Sequence, residues 1–158
     1  MLMWFRDLVQ DFRKEVLGPN YVNKSKMGDE GGKLLVMKDA KEAWGKEGYG
    51  GLSRWVASQL VHVPDDDQIG IAQNLIMRQL GRRKWRQEPF SEEIAEGEGA
   101  YEIFAHLERA YKRNGGADGS HDWLVENWRR VPRGARENFM SVAFRLYFEE
   151  RTERRSRR

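Results

Sequence analysis

Residues 132–150, PRGARENFMSVAFRLYFEE, contain the densest apolar stretch of the chain. Large apolar side chains recur there at almost every helical position, whereas a surface helix carries them along one stripe. The proline at position 132 is typical of a helix start, because an N–H in the first turn would have no intrahelical partner anyway. We therefore predict a helix over 132–150 that is buried on most sides and forms the centre of an all-α core.

Outward from this helix, apolar residues recur at three- and four-residue spacing in several shorter stretches. Helix ends are marked by Asp65, Asp66 and Asp67, which suit a helix N-terminus, and by glycines that end or break helices, including those at 45, 48, 50 and 51. A short apolar run near residues 34–38 is the candidate β element. The predicted helices span 1–17, about 39–46, 52 to near Pro64, 65–80, a segment from Ser91, about 100–113, and a segment from Ser120 or His121.

The composition limits the chemistry that the chain can perform. None of the 158 residues is cysteine, which excludes disulfides, thiolate metal ligands and a thiol nucleophile. The sequence has no apolar run of about eighteen residues that would span a membrane. Charged residues within 1–17 interrupt the apolar core that a signal peptide requires. We therefore expect a cytoplasmic protein of a prokaryote, or of a cell that hosts a phage or mobile element.

Arginine is unevenly distributed along the chain. Fifteen of the nineteen arginines lie in residues 80–158, whereas seven of the nine lysines lie in residues 1–79. A guanidinium group holds phosphate through two parallel hydrogen bonds and stacks on aromatic rings. The second half is therefore the better candidate for a polyanion-binding face, although GC-rich codon usage would produce the same bias.

Three basic clusters carry this excess of arginine. The first includes Trp85, whose ring can stack on a base. The second surrounds the helix start at Pro132, where free backbone N–H groups also favour phosphate. The third is the C-terminal tail. We predict that the first two clusters contact nucleic acid, with a solvated charged surface and an acidic protein partner as alternatives. Their members are Arg78, Arg82, Arg83, Lys84, Trp85 and Arg86 in the first, and Arg129, Arg130, Arg133 and Arg136 in the second.

Other groups of reactive side chains fit structural roles better. Consecutive carboxylates at 65–67 point in different directions, which suits a helix N-terminus more than a magnesium site. Glu98, Glu102 and His106 share a helical face but lack the second Glu–His pair of a di-metal bundle. The contiguous Ser-His-Asp at 120–122 lacks the geometry of a triad assembled from distant segments. We predict no catalytic residue, metal or cofactor, and keep carboxylate–His metal chemistry around His106 as an alternative.

The stretch 100–116, AYEIFAHLERAYKRNGG, resembles the closing helix of the small helical subunits of type III CRISPR effector complexes. The resemblance covers less than a ninth of the chain, and the residues on either side do not follow that pattern. It implies a non-catalytic, arginine-lined subunit that lies along nucleic acid within a larger assembly.

These observations together predict a compact all-α bundle of five to seven helices, with residues 1–150 as one domain and 151–158 as a basic tail. The leading hypothesis is a non-enzymatic subunit that binds the phosphate backbone of RNA or DNA with little base readout. Its other expected partners are protein subunits, and no membrane is expected. The alternative is a protein-interaction module, such as an inhibitor or adaptor encoded by a phage or mobile element.

Overall fold

The computed structural model describes residues 37–60, 63–80, 98–113 and 116–156, of which 37–40, 78–80 and 151–156 are described by their backbone alone. These residues form five α-helices and a short 3-10 helix, and no strand occurs among them, which confirms the all-α class. None of the described helices is sufficiently long and apolar to cross a membrane. The elements are α1 (Met37–Leu60), α2 (Asp65–Leu80), α3 (Ala100–Arg113), α4 (Ala117–Asn127), the 3-10 helix (Trp128–Arg130) and α5 (Arg133–Ser156).

Helix α5 is the centre of the core, as the apolar stretch at 132–150 predicts. It packs against α1, α2 and α3, and α3 packs in turn against α4. The ring centroid of Phe139 lies 4.6 Å from that of Phe104 in α3 and 5.8 Å from that of Trp128. Burial of each such side chain contributes about 2–3 kcal/mol relative to exposure. The buried apolar residues of α5 are Phe139, Met140, Val142, Ala143, Phe144, Tyr147 and Phe148.

Helix α1 replaces the two helices predicted on either side of a glycine-rich break. It continues through that segment with one kink, where Glu47 and Gly48 leave the helical conformation. Gly48 has φ 63° and ψ −143°, a region that only glycine adopts readily. The other glycines predicted to break the chain, at positions 45, 50 and 51, lie within helical backbone on either side of this kink. Packing of α1 on α5 therefore overrides their weak helix propensity.

Three further boundaries differ from their predictions. Residues 37 and 38 of the candidate β element begin α1, and its residues 34–36 lie outside the described residues. The predicted helices at 1–17 and after Ser91 also lie outside them. Helix α4 begins at Ala117, directly after Gly116 with its positive φ of 82°, and not at residue 120 or 121. Helix α5 continues through Ser156. A helix that the core has nucleated extends cheaply through polar residues, so no apolar signal marks its end.

Candidate nucleic-acid interface

The second basic cluster surrounds the corner between the 3-10 helix and α5. Val131 has the extended backbone (φ −73°, ψ 129°) that a residue before proline prefers, and this ends the 3-10 helix. The carbonyl oxygen of Pro132 then accepts the N–H of Arg136 at 3.0 Å, which starts the hydrogen-bond ladder of α5. Arg129 and Arg130 therefore lie on one side of the corner, and Arg133 lies on the other.

The corner is anchored by Trp128, whose side chain is fully buried. Its indole Nε1 donates to the side-chain Oε1 of Gln68 in α2 at 3.1 Å. The Nε2 of Gln68 donates to the carbonyl oxygen of Val63 at 2.8 Å, so both ends of this buried amide are satisfied. A satisfied buried amide has a defined orientation, because a rotation would break both hydrogen bonds. Gln68 thus fixes the corner against the start of α2.

Arg136 also belongs to this anchor. Its Nη1 lies 2.8 Å from Oδ1 of Asp65, and its Nε donates to the carbonyl oxygen of Val131 at 3.0 Å. Its guanidinium carbon is 5.4 Å from the ring centroid of Trp128, which is a cation–π distance. Only 14% of the side chain is exposed. Arg136, which the sequence places among the phosphate ligands, therefore directs most of its donors into the fold and supports the site from within.

The other three arginines of the cluster are exposed. Nη2 of Arg129 lies 2.8 Å from Oδ1 of Asp66, but the two side chains are 65% and 82% exposed. Such a pair contributes at most about 1 kcal/mol, so a phosphate group can replace the carboxylate at little cost. Arg130 and Arg133 have no ion-pair partner within the described part of the chain. The corner therefore presents three guanidinium groups to solvent, one of them in an exchangeable ion pair.

A small pocket of about 270 Å³ opens between the start of α2 and the start of α5. Asp65, Gln68, Arg133 and Arg136 line it. The carboxylate of Asp65 is 42% exposed, and its Oδ1 also accepts from Arg136. The pocket thus combines an accessible acceptor, the Asp65 carboxylate, with an accessible donor, the Arg133 guanidinium.

The aspartates at 65–67 lie in the first turn of α2, where the sequence places them. Their negative charges suit the positive end of the helix dipole. Two of them have a second role that sequence reasoning missed, since Asp66 pairs with Arg129 and Asp65 with Arg136. The positions are 63 and 71 residues apart in the sequence. The sequence offered one signal for these ion pairs, the opposite charge of the aspartates and the second basic cluster. Opposite charge alone does not tell which aspartate pairs with which arginine.

The other two basic clusters are described only in part. Arg82, Arg83, Lys84, Trp85 and Arg86 lie outside the described residues, and Arg78 lies in α2 with its backbone alone described. Residues 151–156 of the basic tail continue α5. The described site is therefore the second basic cluster, around Trp128.

The alternative sites do not assemble in the described part of the chain. No group of three His, Asp or Glu side chains there converges as metal ligands would. Exposed His106 instead stacks on Trp123, with ring centroids 5.3 Å apart. Ser120 is fully buried, and its Oγ donates to the carbonyl oxygen of Ala117 at 3.0 Å. His121 and Asp122 are exposed, so Ser120 is not presented as a nucleophile beside them.

Comparison of the chain with protein-family models, with curated proteins and with solved structures found no match. Inferences about function therefore begin from the side chains around Trp128.

Proposed function

We propose that this protein is a non-enzymatic subunit that binds the phosphate backbone of nucleic acid through Arg129, Arg130 and Arg133. The observation that carries the proposal is the presentation of these three exposed guanidinium groups around one rigid corner. Membership of a larger nucleoprotein assembly belongs to the proposal as well, and its support is the resemblance of residues 100–116 to a CRISPR effector subunit.

The corner suits phosphate binding because its scaffold is already ordered. Trp128, Gln68 and Arg136 hold the backbone through the contacts described above, so little backbone conformational entropy is lost when a ligand binds. The cluster has four arginines against the two aspartates that pair with them, which leaves an excess of positive charge. Each phosphate that displaces counterions adds to affinity, and this contribution decreases as salt is raised.

The test is fluorescence-anisotropy binding to single- and double-stranded DNA and RNA, at about 50 and 200 mM salt. We expect submicromolar binding at the lower concentration and a steep loss at the higher one. A triple variant, Arg129→Ala with Arg130→Ala and Arg133→Ala, should bind more weakly. Its slope of log affinity against log salt should be smaller by about 2, because each contact with a single strand contributes about 0.7.

A matched control removes three positive charges elsewhere. Lys41, Lys46 and Arg54 lie on α1, outside both the cluster and residues 100–116, and their replacement by alanine changes the net charge equally. This control should retain most of the affinity and slope. Equal losses of affinity in the two triple variants would mean that net charge alone causes binding. Wild-type affinity of the variant at positions 129, 130 and 133 would contradict the assignment of these arginines as phosphate ligands. Absence of binding at low salt, with capture of one specific protein, would support the interaction-module alternative.

A further inference from the structure

We propose that the pocket between α2 and α5 binds an unpaired guanine base. This inference rests on the proposed nucleic-acid binding and extends it, because backbone contacts alone predict little base readout. The pocket is lined by Asp65, Gln68, Arg133 and Arg136 and has a volume of about 270 Å³.

The Asp65 carboxylate in the lining disfavours a phosphate group in the pocket, although two arginines line it as well. A phosphate in the pocket would face the Asp65 carboxylate, which is 42% exposed and opens into the same space. The repulsion between two anions at short range opposes such binding. A suitable ligand therefore offers donors to Asp65 and acceptors to Arg133, and is itself uncharged.

Guanine has this arrangement of donors and acceptors. Its N1–H and 2-amino group are adjacent donors that a carboxylate can accept together. Its O6 and N7 are adjacent acceptors that a guanidinium group binds through two hydrogen bonds. Adenine presents an acceptor, N1, where guanine presents N1–H, and would repel the carboxylate. The carboxylate can receive guanine while it remains bound to Arg136, because its two oxygens provide about four acceptor sites.

The other two lining residues form fixed walls. Gln68 donates to Val63 and accepts from Trp128, and Nη1 of Arg136 lies 3.4 Å from the Gln68 oxygen. These internal bonds leave Asp65 and Arg133 to interact with the base. The guanidinium of Arg133 has five N–H donors, so it can hold O6 and N7 while it also contacts a neighbouring phosphate. Asp65 reads the edge that is used in Watson–Crick pairing, and Arg133 reads the neighbouring O6/N7 edge, so the target is a base in a single strand.

The test uses oligouridines of about eight nucleotides that carry guanine, adenine or hypoxanthine at one central position. Hypoxanthine lacks the 2-amino group and is otherwise identical to guanine. We expect guanine to bind about tenfold more tightly than adenine, since a good bidentate pair discriminates to that extent. The oligonucleotide with hypoxanthine should bind several-fold more weakly than the one with guanine. Titration with guanosine and adenosine 5′-monophosphates by calorimetry distinguishes a free nucleotide from a base within a strand.

Two protein variants separate the pocket from its surroundings. Asp65→Asn retains an oxygen for Arg136 but presents an amide donor to guanine, so the preference for guanine should fall to twofold or less. Asp66→Asn makes the same change of charge one residue away and does not line the pocket, so the preference should persist. Thermal melts of both variants verify that they fold, and the hypoxanthine comparison needs no variant at all.

The outcomes distinguish the two proposals. Salt-dependent binding of all oligonucleotides with equal affinity would overturn the guanine pocket and leave backbone binding intact. Binding of guanosine monophosphate, without any oligonucleotide binding, would support the pocket and overturn the proposed function. Failure of every probe to bind would overturn both proposals.

Discussion

Trp128 and Gln68, sixty residues apart in the sequence, are joined by a hydrogen bond of 3.1 Å from the indole Nε1 to the amide Oε1. Both side chains are buried. This bond connects the arginine-bearing corner to α2, and Arg136 approaches the same oxygen at 3.4 Å. The position of the exposed arginines therefore depends on a neutral hydrogen bond within the core.

Replacement of Gln68 by leucine should lower the free energy of unfolding by about 2 kcal/mol, because it leaves a buried indole N–H without an acceptor. Urea denaturation measures this change. Trp128→Phe removes the donor and leaves a cavity, so it should also destabilise the protein. The double variant should lose less than the sum of the two single changes, since neither unsatisfied partner remains. Additive losses would show that the bond does not couple the two residues.

Gly99→Ala should destabilise the protein by about 2–4 kcal/mol, for reasons of strain and overlap. Gly99 has φ +84°, and a Cβ atom there would lie 2.5 Å from the Cβ of Ala135 in α5. Gly45→Ala is the matched control, because this glycine is helical and nothing lies within 4 Å of its added Cβ. Alanine at position 45 should stabilise the protein by about 0.5–1 kcal/mol. Chemical denaturation of both variants measures the two changes. Equal losses of stability at positions 99 and 45 would contradict this account.

Asp66→Asn should strengthen binding to single-stranded nucleic acid by about two- to fivefold, because it frees Arg129 from a competing carboxylate. The effect should be larger at low salt and nearly equal for every base sequence. The free energy of unfolding should change by less than about 1 kcal/mol, as expected for an exposed ion pair. Anisotropy titrations and a urea melt of the same sample test both statements. Unchanged affinity would mean that Arg129 does not contact the ligand.

A chain that ends at Glu150 tests the predicted division between a domain and a basic tail. Residues 151–158 contain five arginines, one glutamate and no apolar side chain. Their removal deletes no apolar side chain, so the free energy of unfolding should fall by less than about 1 kcal/mol. Affinity for nucleic acid should decrease, with a smaller salt slope, if the tail adds phosphate contacts. A large loss of cooperative unfolding would instead place residues 151–158 within the domain.

The helices and their core could be read from the sequence because their signals are local. The spacing of Phe139, Phe144 and Phe148 predicted the central helix, and Asp65 and Gly116 marked helix ends that the structure contains. Each signal lies within one or two turns of the element that it specifies. The helix ends were missed where no local signal exists, as at Ser156, and where tertiary packing carries a helix through several glycines, as in α1.

The roles of the arginines at the corner were decided by the tertiary structure. Arg133 and Arg136 are both arginines in the first turns of one helix, yet one is exposed and the other is held by Asp65 and Trp128. The sequence by itself determined that positive charge gathers around Pro132, because composition and spacing are properties of the chain. Which guanidinium faces solvent depends on how α2 packs against α5. That packing is set by long-range contacts, such as the one between Gln68 and Trp128, which local periodicity does not specify.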